Sequence, residues 1–398
     1  MTESGGLAPP GGRPIGGLSD FSASGFHSVR IVSVVGGRPN FVKIAPILEA
    51  MGEVPAIVSR LVHTGQHYDH EMSRVFFEDL KIPEPDFFLG VGSGTHAQQT
   101  ARVMMEFERV LAQEGPDLVV VVGDVNSTLA CALVAAKLLV PIAHVEAGLR
   151  SFDRTMPEEI NRVLTDHLSE YLFTHSEDAD RNLRREGIPG ERIHFVGNVM
   201  IDTLRKYEPV ARGKRTAEAL GLSPGSYAVL TLHRPSNVDD AESFAAILDA
   251  LEAILPTLPV VFPIHPRSRK RLAEFGFEER IQHLQNLRLC DPFGYLAFLS
   301  LMLDSRLVLT DSGGIQEETT ALGVPCLTLR ENTERPVTVR LGTNVVVGTR
   351  PDRVAAETLR ISEAGAGRGK TPPLWDGRAA SRIVAILRRH PVAAGADR

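Results

Sequence analysis

The sequence lacks the features that mark several specialised classes of protein. Its three cysteines, Cys131, Cys290 and Cys326, are isolated and form neither a CxxC motif nor a disulfide framework. We expect them to be buried thiols in a reducing cytoplasm. No apolar run reaches the roughly 18 to 20 residues that a membrane-spanning helix needs. Residues 1–27 are rich in glycine and proline and lack the basic start and apolar middle of a secretory signal, so we predict a disordered tail there.

An excess of positive charge is also absent. The chain has 43 Lys and Arg residues against 49 Asp and Glu residues, and its net charge of -6 provides no overall basic footprint for nucleic acid. A hydrophobic fraction of 43% and a charged fraction of 23% are typical of soluble globular proteins. With 398 residues, the chain exceeds the size at which one core usually splits into two. We therefore expect a cytoplasmic protein of two domains.

Two common cofactor signatures are missing as well. The first predicted strand runs into Gly36-Gly37-Arg38-Pro39-Asn40, which is not the GxGxxG of a dinucleotide site, although Arg38 and the nearby Lys43 suit an anionic ligand. Residues 63–70 contain three histidines, but they lack the helical HExxH context and a completing set of carboxylates or cysteines. Polar ligand binding or loop structure explains that segment better than a metal site does.

What the chain does contain is an alternation of short aliphatic runs and helical patterns from residue 29 onward. This pattern is typical of parallel sheets with helices on both faces. Strands are predicted at 29–35, 56–62, 118–122, 142–145 and 171–174, and then at 227–232, 260–263, 306–309, 326–329 and 345–347. Helices are predicted at 41–51, 70–80, 95–113, 128–138, 158–168 and 179–186, and then at 241–255, 268–275, 295–303, 315–322, 352–362 and 377–389. The charged residues 205–225, which include several glycines, are predicted to contain the linker between two doubly wound halves.

Residues 311–318 read as the turn from a strand into a helix and are the strongest candidate for phosphate binding. Ser312 is a good N-cap residue, and Gly313 and Gly314 let backbone amides approach a ligand. A helix start carries partial positive charge and unpaired N–H groups, which suit a phosphate. Glu318 lies about two turns further on, where a carboxylate can accept hydrogen bonds from a ribose. An ordinary strand-to-helix turn explains the same glycines.

Ionisable residues follow the other predicted strands. Asp124, Glu146 and Glu158 come after strands of the first half, and His233, Arg234, His265 and Arg335 come after strands of the second half. Each has a structural explanation by itself, such as helix capping or loop ordering. Because ligands bind at the carboxyl ends of parallel strands, the repetition indicates one site between the two halves.

Several of these motifs together resemble the non-hydrolysing UDP-N-acetylglucosamine 2-epimerases. The similarity runs from about residue 29 to the final helix, and its motifs are Gly37-Arg38-Pro39 with Lys43, Gly65-Gln66-His67, Gly123-Asp124, 144–150, 157–162, His233-Arg234, 311–318 and 334–336. The resemblance implies a GT-B architecture, that is, an α/β fold of two Rossmann-like doubly wound parallel-sheet domains with a cleft between them. It implies domains at 28–205 and 206–375, a helix at 376–392 that returns to the first domain, and a homodimer.

The resemblance also implies a reaction and a set of residue roles. UDP-N-acetylglucosamine and UDP-N-acetylmannosamine interconvert through loss of UDP to 2-acetamidoglucal and its re-addition, with no cofactor and no metal. The implied acid/base candidates are Asp124, Glu146, Glu158 and His233. The implied substrate-binding residues are Arg38, Lys43, Arg234, Ser312, Gly313, Gly314, Glu318 and Arg335. Gln66, His67 and His265 are implied to help form a second, allosteric UDP-N-acetylglucosamine pocket.

Other functions stay open at this stage. A sister group of epimerases acts on UDP-2,3-diacetamido-2,3-dideoxyglucuronic acid, and residues 123–162 resemble that group too. A hydrolysing epimerase fits less well, because Gly65-Gln66-His67 and Gly37-Arg38-Pro39 follow the non-hydrolysing pattern. A GT-B glycosyltransferase shares the architecture, and a non-catalytic nucleotide-sugar sensor would share the binding site. Three carboxylates directed at one cleft make the sensor the weaker alternative.

Overall fold

The computed structural model describes residues 28–66, 77–364 and 369–390, and it contains two parallel β-sheets. The first has seven strands in the order β3-β2-β1-β4-β5-β6-β7. These strands are β1 Val29–Val35, β2 Ile57–His63, β3 Phe87–Phe88, β4 Leu118–Val122, β5 Ile142–Val145, β6 Tyr171–Thr174 and β7 Ile193–Phe195. β4 is buried along its whole length, as expected for a central strand covered by helices on both faces.

Helices alternate with these strands. They are α1 Arg38–Gly52, α2 His96–Glu114, α3 Asn126–Lys137, α4 Pro157–Leu168, α5 Glu177–Arg185 and α6 Val199–Lys214. Of the helix predicted at 70–80, residues 77–80 are helical and the remainder lies outside the described residues. Across the described residues, no helix combines the length and the apolar character needed to cross a membrane.

The second sheet has six strands in the order β10-β9-β8-β11-β12-β13. They are β8 Ala228–Thr231, β9 Val260–Pro263, β10 Leu287–Cys290, β11 Leu307–Thr310, β12 Cys326–Thr328 and β13 Asn344–Val346. The helices are α7 Thr216–Ala219, α8 Pro235–Val238, α9 Ala241–Ile254, α10 Pro266–Glu274, α11 Glu278–Gln282, α12 Tyr295–Leu303, α13 Gly313–Leu322, α14 Pro336–Arg340, α15 Pro351–Ala364 and α16 Ala379–Leu387. Two doubly wound parallel sheets confirm the predicted fold class.

The segment 205–225, predicted to contain the linker, is helical over much of its length, and the place of the linker stays a prediction. Residues 199–214 form α6, whose residues Ile201, Leu204, Tyr207 and Ala211 are buried at helical spacing. Gly213, one of several residues that suggested a linker, lies in the last turn, where a weak helix former costs little. Sequence propensity was therefore overridden by the packing of an apolar helix face.

The last helix, α16, packs against α1 and α6 of the first half. Asp202 of α6 accepts hydrogen bonds from the backbone N–H groups of Ala379 and Ala380, at 3.0 and 2.7 Å. Thr203 of α6 donates to the carbonyl of Val42 in α1 across 2.6 Å. The first two bonds hold α16 on α6, and the third holds α6 on α1. The domain boundaries themselves stay predictions.

Candidate active site

The carboxyl ends of the two sheets meet through an ion pair. Glu146 follows β5 in the first half, and Arg335 directly precedes α14 in the second half, 189 positions later. Arg335 Nη2 donates to Glu146 Oε1 across 2.9 Å. Lys43 Nζ, on α1, donates to the other oxygen of the same carboxylate. Three residues that the sequence assigned to the site are thus in direct contact.

Glu146 is held as a charged group in an unusual backbone conformation. Its φ is 73°, in the left-handed region that residues other than glycine rarely adopt, and 8% of its side chain is exposed. Burial alone would raise the pKa of the Glu146 carboxyl, but Lys43 and Arg335 outweigh that effect and hold the pKa below its ordinary value. Backbone strain of this kind concentrates at functional sites.

The guanidinium of Arg335 is shared among three carboxylates. Besides Glu146, its Nε lies 3.1 Å from Glu317 and its Nη1 lies 3.4 Å from Glu334. Burial would lower the pKa of Arg335, but these carboxylates raise it above its ordinary value. A Cβ atom on Gly313 would lie 2.6 Å from Arg335 Cζ. Only glycine at that position therefore allows the guanidinium to lie against the start of α13.

The remaining carboxylates predicted for catalysis each face an arginine. Asp124 is ion-paired with Arg162 of α4. Glu158, in the first turn of α4, is 39% exposed and lies 3.9 Å from Arg234 Nη1. The Nη2 atom of Arg234 lies 3.7 Å from Glu334. Glu146 and Glu158 therefore belong to one network of alternating charges that crosses between the two halves through Arg335, Glu334 and Arg234. The charge of Asp124 acts on the same network, because it helps to raise the pKa of Arg335.

Asp311 fixes the loop that follows β8. Its carboxylate accepts hydrogen bonds from the backbone N–H groups of His233 and Arg234, both at 2.9 Å, and lies 2.8 Å from His233 Nδ1. Burial would raise the pKa of Asp311, but His233 and these hydrogen bonds hold it below its ordinary value. Because Nδ1 faces Asp311 and 43% of the His233 side chain is exposed, Nε2 is the ring nitrogen that can reach a ligand.

The start of α13 is built partly as predicted. Ser312 is the N-cap but makes no side-chain capping bond, and its backbone N–H donates to Thr310 Oγ1 across 3.0 Å. The Ser312 amide is thus already engaged, and the amides of Gly313 and Gly314 are the first helical donors without an intrahelical partner. A Cβ atom on Gly314 would lie 3.0 Å from Met200 Cε. The two glycines therefore serve close packing as well as ligand access.

Glu318 lies further along the same helix with its carboxylate buried. Tyr295 of α12 donates to Oε1 of Glu318 across 3.0 Å. Burial raises the pKa of Glu318, the hydrogen bond from Tyr295 lowers it, and the neighbouring Glu317 raises it, so that the resulting pKa is about 7. A carboxyl group with this pKa changes its charge near neutral pH.

Two of the three predicted allosteric residues, Gln66 and His265, lie among the described residues. Gln66 is buried, and its carboxamide oxygen accepts hydrogen bonds from the backbone N–H and the hydroxyl of Ser127, at 2.9 and 2.7 Å. His265 caps α10, and its ring centroid lies 6.4 Å from that of His233. His67 lies outside the described residues, as does the side chain of Arg38, the first residue of α1.

Comparison with known proteins shows the family to which this chain belongs. A model of the UDP-N-acetylglucosamine 2-epimerase family matches residues 49–388. The chain belongs to this family. It is therefore an isomerase, and the predicted family and enzyme class are confirmed.

This epimerase aligns with individual relatives over almost the whole length of those proteins. It is 44% identical over 365 residues to the UDP-N-acetylglucosamine 2-epimerase of Methanocaldococcus jannaschii, across 90% of this chain and 99% of that protein. A crystal structure of the archaeal enzyme in complex with UDP-GlcNAc and UDP superposes with a TM-score of 0.85 at 43% identity, over 90% of this chain and 99% of that one. The UDP-2,3-diacetamido-2,3-dideoxy-D-glucuronate 2-epimerase of Pseudomonas aeruginosa is 42% identical over 363 residues, across 90% and 99% of the two chains. The likeness in fold confirms the GT-B architecture.

Sequence reasoning gave no role to two buried carboxylates of this epimerase site. Glu317 is fully buried, and Arg335 and His175 hold its pKa down at about 2 although burial would raise it. Glu334 accepts two hydrogen bonds from Arg330, both at 2.9 Å. Both glutamates belong to motifs that the sequence analysis named, 311–318 and 334–336, and each lies next to a residue that was given a role. His175, directly after β6, was missed as well, although its position at a strand end was a usable signal.

Proposed function

We propose that this protein interconverts UDP-N-acetylglucosamine and UDP-N-acetylmannosamine without hydrolysis, as a source of precursors for cell-surface polysaccharide. The observation that carries the proposal is the contact of Glu146 with Lys43 and Arg335 beside the start of α13. This contact joins the carboxylates that follow the strands of the first half to the helix start and arginine of the second half, which suit a diphosphate. An elimination that creates a charged leaving group needs both.

In the binding step, we assign the UDP moiety to the second half. The free amides at the start of α13, together with Arg335, suit the diphosphate, because backbone donors and a fixed guanidinium stabilise its charge. Arg38 and Lys43 complete the cationic side in this proposal. Glu318 accepts hydrogen bonds from the ribose hydroxyls. Binding between the halves excludes water from the intermediate.

In the chemical step, a carboxylate of the first half removes the proton from carbon 2. The electron pair of that C–H bond forms the double bond between carbons 1 and 2, and the bond from carbon 1 to the UDP oxygen breaks. UDP leaves with the electron pair, and 2-acetamidoglucal remains. Re-addition of UDP to carbon 1 and of a proton to the opposite face of carbon 2 completes the epimerisation. His233 assists through Nε2, either in proton transfer or at the departing phosphate.

The low pKa of Glu146 bears on which carboxylate is the base. A carboxylate stabilised by two cations accepts a proton less readily than one with a single partner. We therefore assign proton removal to Asp124 or Glu158, and we assign to Glu146 the placement of Lys43 and Arg335. Substituting each of the three by its amide and following exchange at carbon 2 separates base from placement, because loss of the base abolishes exchange while UDP binding survives.

A second substrate has a specific observation in its favour, the 42% identity to the P. aeruginosa diacetamidoglucuronate epimerase. That sugar carries a further carboxylate. Lys43, Arg162, Arg234 and Arg335 each already lie within 4 Å of a protein carboxylate. Of these, Arg234 makes only long contacts, at 3.9 and 3.7 Å, so the comparison of the two sugars as substrates decides between them.

One experiment tests the proposal. The protein is incubated with UDP-N-acetylglucosamine in deuterated water, and both deuterium at carbon 2 and UDP-N-acetylmannosamine are measured. Absence of both, with turnover of the diacetamidoglucuronate sugar, would assign the second substrate instead. Free N-acetylmannosamine would indicate a hydrolysing enzyme, and UDP release that depends on an acceptor would indicate a glycosyltransferase. Ultracentrifugation and titration with a second UDP-N-acetylglucosamine test the proposed homodimer and the allosteric role of Gln66, His67 and His265.

A further inference from the structure

A buried histidine outside the predicted set touches the charge network from the first half. His175 follows β6, and its side chain is 3% exposed. Its Nε2 lies 3.1 Å from Oε1 of Glu317, which belongs to α13 of the second half. The same Oε1 lies 3.1 Å from Nε of Arg335. His175 is therefore linked to Glu146 through two intervening charged side chains.

Glu317 has few other means of holding its position. It is fully buried, and neither carboxylate oxygen has a hydrogen-bonding partner of good geometry among the described residues. Burying a carboxylate costs several kcal/mol unless opposite charge compensates. Arg335 supplies an ion pair, and Nε2 of His175 supplies a polar contact. If His175 were lost, Arg335 would be left to compensate Glu317 by itself while also serving Glu146 and Glu334.

Trp375 contacts both the ring and the backbone of His175. The indole of Trp375 stacks on its ring, with centroids 6.1 Å apart and planes inclined by 25°. Trp375 Nε1 donates to the backbone carbonyl of His175 across 2.8 Å. Trp375 lies in the segment that leads to α16, so this segment holds both the ring and the backbone of His175 in place.

We infer that His175 is a positioning residue of the epimerase site: it holds Glu317, and Glu317 in turn holds Arg335 against Glu146 and the start of α13. The inference rests on the proposed function for its effect on turnover. Its effect on UDP binding is independent of that function, because the position of Arg335 matters to any ligand that places a diphosphate at this helix start.

The test compares His175→Phe with His175→Gln. Phenylalanine keeps the stack on Trp375 but removes the nitrogen, whereas glutamine retains a polar N–H donor near the place of Nε2. Losing a contact to a buried charged group lowers turnover by about tenfold to a hundredfold, and we expect this range for His175→Phe. His175→Gln should recover to within about threefold of wild type if one neutral donor suffices. UDP affinity, measured by calorimetry, should follow the same order.

His194→Phe is the matched control, since His194 lies in neighbouring β7, is half-buried and stacks on Tyr171 without touching the charge network. It should leave turnover and UDP affinity unchanged. A second control repeats His175→Phe in a Glu317→Gln background. If His175 acts through Glu317, its loss there should change turnover by less than about threefold, because interacting sites are not additive.

Three results would overturn the inference. One is an undiminished effect of His175→Phe in the Glu317→Gln background. Another is equal loss in His175→Phe and His175→Gln. The third is a drop explained wholly by a smaller folded fraction, measured by circular dichroism. If the wild-type protein exchanges deuterium into neither sugar, the proposed function fails, and the order of UDP affinities among the variants still decides the role of His175.

Discussion

Replacing Glu318 by glutamine should stabilise the protein and weaken UDP binding at the same time. Burial raises the pKa of this carboxyl from an ordinary 4.5 to about 7. A group whose pKa is raised on folding contributes stability below its ordinary pKa, and that contribution is lost as pH rises through the folded value. The wild-type protein therefore carries a buried, unfavourable negative charge above pH 7. Glu318→Gln removes that charge and keeps an oxygen for the hydroxyl of Tyr295.

The magnitude follows from the pKa difference. One pKa unit corresponds to about 1.4 kcal/mol, so the charge costs about 3 kcal/mol once it is fully present and about half of that at pH 5.5. Glu318→Gln should gain about 2 kcal/mol more unfolding free energy at pH 8 than at pH 5.5. Any constant cost of the amide, such as an unpaired N–H group, cancels in this comparison.

The assay is urea unfolding at the two pH values, followed by circular dichroism, with UDP calorimetry on the same samples. Glu279→Gln, at an exposed position of α11, removes the same charge from the surface and should show no such pH dependence. UDP affinity of Glu318→Gln should fall by about tenfold at pH 8, because the ribose hydroxyls lose a charged acceptor. Equal stabilisation at both pH values would refute the reasoning.

Two further predictions concern glycines. Gly313→Ala should push the guanidinium of Arg335 away by about 1 Å. At an effective dielectric of about 20, this shift weakens the attraction of Arg335 to the carboxylate of Glu146 by about 1.5 kcal/mol and lowers turnover about tenfold. Gly213→Ala, at an open position of α6, is the control and should retain full turnover in the exchange assay. Gly197→Ala should cost at least about 2 kcal/mol more unfolding free energy than Gly187→Ala. Both glycines have positive φ, but an added Cβ overlaps the main chain before α16 only at the first of them. Equal costs in urea unfolding would show that backbone strain alone decides.

The strand positions were largely predictable from local sequence. β1, β4, β5, β6 and β9 have the predicted bounds, because buried parallel strands are continuous aliphatic runs that end at turn residues. The short edge strands β3, β7 and β10 were missed. β3 spans only two residues and β10 is interrupted by Arg288, so neither shows the continuous aliphatic run on which the prediction depended.

The place where the candidate site residues come together was predictable for a related reason. Parallel strands direct their carboxyl ends to one edge, so residues such as Asp124 and Glu146 had to lie near one another once their strands were known. The sequence could also indicate that the start of α13 suits phosphate, since helix geometry leaves amides free there.

Tertiary structure alone decided how the charges are paired. Glu146 contacts Arg335 from 189 positions away, and His175 reaches Glu317 on the other half. Hydrophobic periodicity records which face of an element is buried, but it holds no information on which buried charge meets which across two packed halves. Lys43 and Arg335 lower the pKa of Glu146, and burial raises the pKa of Glu318. Neither effect could be predicted, because burial and ion pairing depend on neighbours that the chain brings together only when folded.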